Sequence, residues 1–133
     1  MSQENVEIVR REYEFFNRTG ELAADRYHQE FEFHDFEGAP QPVRRGFEEW
    51  RRWAPDVAEA FGEFVLEPQE LLDFGDQVVA VVQMRGRGEG SGVNLQHLQA
   101  PFAVVWTLRD GKLIRGAVFR SKSEALEASG LPG

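Results

Sequence analysis

The chain has 133 residues, of which 41% are hydrophobic, 29% charged and 12% aromatic, so one domain with one continuous core is the expected organisation. Its 23 acidic residues outweigh 15 basic ones for a formal net charge of −8, which argues against a nucleic-acid partner, and the absence of cysteine removes thiol catalysis, iron–sulfur ligation, cysteine zinc sites and disulfides. No apolar run approaches the roughly 20 residues of a membrane helix, and the polar opening Met1-Ser2-Gln3-Glu4-Asn5 does not read as a signal peptide, so a cytoplasmic protein with no membrane partner is the expectation.

In chain order, Val6, Val9, Tyr13 and Phe16 fall on one stripe with Glu7, Arg10, Arg11 and Glu14 elsewhere, which predicts a helix from about Gln3 to Arg18 packed through one face. Ser2 is placed to cap it and Thr19-Gly20 to end it. A second short helix is predicted at about Glu21 to Tyr27. Phe31 to Phe36 alternates in its first half and reads as a strand, closed by the loop Glu37 to Pro42. Phe47, Trp50, Ala54, Val57 and Phe61 then recur every three or four residues, so helix returns, with a kink or restart at Pro55.

Beyond Gly62, four strands are predicted: Phe64 to Asp73, Gln77 to Gly88, Val93 to Arg109 and Lys112 to Phe119. Asp110-Gly111 and Gly75-Asp76 are hairpin turns, because Gly supplies positive φ without steric cost. Pro101 is a predicted bulge, and Gly86 to Gly92 a hairpin connection rather than a phosphate loop. A last helix spans about Lys122 to Ser129, with Ser121 and Glu124 at capping-box spacing. The sum is an α+β domain whose N-terminal helices pack on a strongly curved, mostly antiparallel sheet, forming a cone that encloses a pocket.

Several side chains could carry chemistry there. Phe31 and Phe33 mark the buried face of their strand, and a period of two puts Asp35 on the same face. Burial in apolar surroundings raises a carboxyl pKa toward the range of a general acid or base. The plainer alternative is an Asp that caps the following loop or pairs with an arginine. Tyr13 lies on the buried helix stripe, so its hydroxyl needs a partner or a cavity. Trp50, Trp53, Phe33 and Phe102 supply aromatic walls of the kind small-molecule pockets use. Alternation groups Arg120 with Gly116 and Val118. A buried Arg120 would need an acidic substrate group or Asp35, and Gly116 would leave room for a ligand. Gln96 and His97 are possible donors at the pocket rim. His28, His34 and His97 lack metal-ligand spacing, so no metal and no cofactor is expected.

The segment Ile8 to Asn17, the strand Phe33-His34-Asp35 and the ending Val105 to Arg115 together resemble the SnoaL-like branch of the NTF2-like superfamily, over essentially the whole chain. That resemblance implies the cone fold and a range of activities that includes ketosteroid isomerases, polyketide cyclases, epoxide hydrolases and dehydratases. It also implies that Asp35 stands where ketosteroid isomerases carry their general base, and that Tyr13 stands where they carry a tyrosine that donates to the developing enolate. The second donor of those enzymes falls at Val104, which can donate nothing. The resembling epoxide hydrolases use two aspartates bridged by an arginine, and only Asp35 has an inward position. The leading expectation is proton-transfer chemistry, as in an isomerase, cyclase or dehydratase, on a hydrophobic carbonyl compound, with Asp35 as acid or base and Tyr13 as donor. The alternatives are a non-catalytic binder of a hydrophobic small molecule and a dimeric assembly module. A homodimer through the open sheet face is expected in each case.

Overall fold

In the computed structural model, which describes residues 2–36, 39, 41–86 and 101–131, helix α1 spans Ser2–Thr19 and buries Val9, Tyr13 and Phe16 as the stripe predicts. The second helix is reduced to a single 3-10 turn at Ala24–Arg26, and Tyr27 already opens strand β1, Tyr27–His34. Its ring is why: Tyr27 is buried against Phe31, Phe47 and Trp50, and its backbone pairs with Leu113 across the sheet. A short strand β2, Val43–Arg45, pairs antiparallel with the end of β1 and was not foreseen. Three residues are too few to show a period.

The single predicted helix is two, α2 at Phe47–Trp50 and α3 at Trp53–Phe61. The break falls at Arg51 and Arg52, ahead of Pro55. Restarting there places the proline in the first turn of α3, where a missing N–H removes no intrahelical hydrogen bond.

Strands β3 (Phe64–Phe74), β4 (Gln77–Gly86), β5 (Phe102–Arg109) and β6 (Lys112–Phe119) follow, and helix α4 (Lys122–Ala128) closes the fold. Asp110 and Gly111 both adopt positive φ, 53° and 77°, the pair a tight two-residue hairpin turn needs. At α4 the Ser121 hydroxyl accepts the Glu124 N–H at 3.1 Å, the predicted cap. The predicted strand from Val93 and its preceding loop lie outside the described residues up to β5. Pro101 is exposed just before β5, and among the described residues register shifts fall within β1, at Pro68/Glu70 and at Thr107/Leu108.

The six strands form one mixed sheet in the order β2-β1-β6-β5-β4-β3, in which β1 and β6 run parallel and every other pair is antiparallel. Among the described residues the sheet is open, with β2 and β3 at its edges. Alternation separates two cores. The inner face presents Phe31, Phe33, Ala80, Val82, Val104 and Trp106 to α1, α2 and α3, and the outer face presents Val79, Ala103 and Val105 to Ala125 and Leu126 of α4. The face expected to be open for a second subunit therefore carries α4 over part of its area. No helix of the described residues is long and apolar enough to cross a membrane.

Candidate functional site

Between the helices and the inner face of the sheet lies a cavity of about 40 Å³, room for a water or two. Of the residues predicted for the pocket, Tyr13, Phe33, Trp50, Trp53, Phe102, Val104 and Val118 line it. Their own rings occupy most of the cone: Phe33 stacks on Trp50 at 4.2 Å between centroids, and Trp50 packs on Trp53 at 5.4 Å and on Trp106 at 6.3 Å.

Gly116 leaves no volume for a ligand. A Cβ at that position would come within 2.9 Å of the Trp106 ring and 3.0 Å of the Phe33 ring, so its missing side chain accommodates those rings. Arg120 is exposed beyond β6 and does not line the cavity, which corrects its assignment to the pocket. Gln96 and His97 lie outside the described residues.

Tyr13 is buried, and its hydroxyl accepts the indole N–H of Trp106 at 3.0 Å, with the two rings edge to face. Burial pushes its phenol above the ordinary range, so the group stays protonated and can donate.

Beside it on α1 stands Glu12, only 5% exposed, which also lines the cavity. Its Oε2 accepts the Tyr27 hydroxyl at 2.7 Å and the Ala23 backbone N–H at 3.3 Å. Oε1 lies 3.4 Å from Arg26 Nε, yet neither atom completes a hydrogen bond. Burial raises the Glu12 pKa to about 7, against the opposing effects of Tyr27, Ala23 and the Arg26 charge, while Asp25 adds to the rise. Tyr27, fully enclosed, is likewise held well above its usual value, first by burial and then by the adjacent carboxyl. The Trp50 indole acts on the Tyr27 hydroxyl, but its buried N–H completes no hydrogen bond among the described residues. Sequence reasoning passed over Glu12. The signal was available: Val9, Glu12, Tyr13 and Phe16 stand at i, i+3, i+4 and i+7, so an acid sits inside the apolar stripe.

Asp35 follows the end of β1 and is half-buried. Its Oδ1 accepts the Phe36 N–H at 2.8 Å, the loop-capping bond of the plainer alternative, and its Oδ2 accepts the Trp53 indole N–H at 3.3 Å. Burial raises its pKa, and Phe36, Trp53 and the Arg44 charge oppose the rise in that order. The arginine near Asp35 is thus Arg44, not Arg120. Arg44 is buried, pairs with Asp56 at 3.0 Å and donates to the Glu49 carbonyl at 3.3 Å. Asp35, Arg44 and Asp56 line a surface groove outside the cavity, and Trp53 lines both spaces.

A curved mixed sheet with helices over its inner face and an aromatic interior defines a class of small α+β domains, the NTF2-like fold, and several solved neighbours carry that description. A family model for the SnoaL-like domain matches residues 9–116, and the chain belongs to that family. Among solved structures it is similar to a candidate polyketide cyclase from Sinorhizobium meliloti, with 21% identity, 84% of this chain and 93% of that chain covered, and a TM-score of 0.63. It is similar to Bal32a from a soil-derived mobile gene cassette at 18% identity, with 96% of each chain covered and a TM-score of 0.73. TerC, co-crystallised with polyporic acid, matches at 22% identity over 93% of this chain and 96% of that chain, with a TM-score of 0.69. At such identities the likeness establishes a shared fold. No curated protein matches the chain.

Proposed function

We propose that this chain is a small-molecule enzyme that moves a proton within a hydrophobic carbonyl compound, as an isomerase, cyclase or dehydratase does, at the interior cavity and with the chain's own side chains as acid, base and donor. The observation that carries this reading is the Tyr13 phenol in an aromatic enclosure. Its oxygen accepts from Trp106, which leaves the O–H free to donate into the cavity, and burial keeps it protonated. A carbonyl oxygen seated against it would gain most as negative charge develops there, because a fixed donor in dry surroundings strengthens its bond to an enolate more than to a ketone. Asp35 is the half-buried acid at the rim, bonded to the ring that separates groove from cavity. Anything larger than a water or two enters only when a wall ring turns, and Trp53, shared by both spaces, is the ring placed to do so. The candidate polyketide cyclase among the fold neighbours is consistent with this reading.

The experiment is α-hydrogen exchange of hydrophobic ketones in D2O followed by NMR. Tyr13→Phe slows exchange by about 10² if the phenol stabilises the enolate. A non-catalytic binder of the same class of molecule is the second reading, favoured by apolar Val104 where resembling enzymes place a second donor and by the small cavity. It predicts a raised melting temperature with ligand and no exchange at all.

A further inference from the structure

We infer that Glu12 is the group that exchanges the proton inside this cavity, and that the Trp50 indole N–H is its second donor beside Tyr13. This assignment rests on the proton-transfer reading above and names its base. Of the two acids, Asp35 lines the groove alone, whereas Glu12 lines the cavity itself. One Glu12 oxygen is held by Tyr27 and Ala23, which fixes the carboxyl in place, and the other is buried without a hydrogen bond. The buried Trp50 N–H faces the same Tyr27 hydroxyl that Glu12 holds but does not complete a hydrogen bond to it. A buried acceptor and a buried donor around one cavity, each with a neighbour but without a completed hydrogen bond, remain costly until something completes them. A carbonyl compound with an α-hydrogen does so: its oxygen takes the Trp50 and Tyr13 donors, and its C–H faces Glu12 Oε1, which has the Arg26 charge beside it but no hydrogen bond.

The chemistry balances without a further reactant. The Glu12 carboxylate takes the α-proton, so a C–H bond breaks and an O–H bond forms at Oε1. The electron pair moves onto the carbonyl oxygen as an enolate held by the two donors. Glu12, whose carboxyl proton exchanges with solvent during the lifetime of the enolate, then returns a proton to a carbon of the enolate and is again a carboxylate. The groups that face Glu12 are Tyr27 of β1, Asp25 and Arg26 of the 3-10 turn and Tyr13 of its own helix, and with burial they leave it titrating close to neutrality, where a base can both take and return a proton.

The test follows deuterium uptake at the α-carbon of cyclopentanone and 2-tetralone from pH 5 to 9 in the wild type, Glu12→Gln, Asp35→Asn and Trp50→Phe. Glu12→Gln should lower the rate at least about 100-fold and remove the inflection near neutrality, and Trp50→Phe should lower it about tenfold with the inflection retained. Should Glu12→Gln exchange like the wild type while Asp35→Asn fails, the inference is overturned and the proposed function stands. Absence of exchange in the wild type overturns the proposed function. It overturns the inference with it; where the wild type does exchange, Glu12 is also judged by a second readout in the unaltered protein, which does not depend on a variant folding. In this readout 2-naphthol, whose hydroxyl imitates an enol, is added while the ¹³C-labelled Glu12 carboxyl is titrated by NMR. A bound naphthol that moves the Glu12 midpoint by at least half a pH unit upholds the inference; failure to bind, or a midpoint that stays put, overturns it.

Discussion

The two faces of the same sheet are packed with different chemistry. On the outer face Val79, Ala103 and Val105 meet Ala125 and Leu126, a cluster whose buried members are all aliphatic, with Phe74 and Phe119 at its margin. On the inner face Phe31, Phe33, Trp50 and Trp106 meet Tyr13, Tyr27 and a buried carboxyl. Aliphatic side chains interlock closely and have nothing with which to satisfy a polar atom. Rings with polar tips combine apolar area with hydrogen bonds, so they can enclose an acid. The inner core holds groups whose ionisation burial has displaced.

Four measurements sharpen or break that contrast. Phe31 is fully buried and touches Tyr27, Trp50 and Trp106, so Phe31→Ala should lower unfolding free energy in urea by about 3–5 kcal/mol. Next comes pH. The Glu12 pKa of about 7 lies above its unfolded value, so between the two the native chain holds a proton that the unfolded chain has released. The stabilisation is complete below the unfolded pKa and is lost as pH rises through 7. The stability of Glu12→Gln relative to wild type should therefore rise by roughly 3 kcal/mol from pH 4 to pH 8; a flat difference would remove the displaced acid from the inner core. Gly116→Ala forces its new methyl against Trp106 and Phe33 and should cost about 1–3 kcal/mol, measured the same way. The smallest effect belongs to the outer side: Ser121→Ala removes the α4 cap for about 1 kcal/mol, with no dependence on pH between 6 and 9.

Most of the architecture was legible because it follows from periods and turn residues. The stripe of α1, the Asp110-Gly111 hairpin, the bounds of β6 and the Ser121 cap each rest on a few neighbouring residues whose local preference and tertiary role agree. The failures were tertiary. Tyr27 was drawn from a predicted helix into a strand by partners on α2 and β6, and neither partner is adjacent in sequence. Gly116 looked like space for a ligand because nothing local reveals that Trp106 and Phe33 converge over it. Asp35 was read from strand parity as an acid aimed into the cavity, but it follows the end of β1 and lines the groove, and parity does not tell which side of Trp53 a carboxyl reaches. Glu12 was legible and overlooked, since reading the stripe for its apolar members hid the one charged residue inside it.

The pairing of β1 with β6 fixes when this protein can mature. Phe33 lies beside Gly116 in parallel register, so the ribosome releases one partner long before the other exists. Until β6 emerges, the β1 edge that will receive it stays bare, an invitation to mispair with another nascent chain. Such long-range closure sets a slow folding rate, and a chain halted short of β6 would leave Phe31 and Phe33 on a strand with only three-residue β2 beside it.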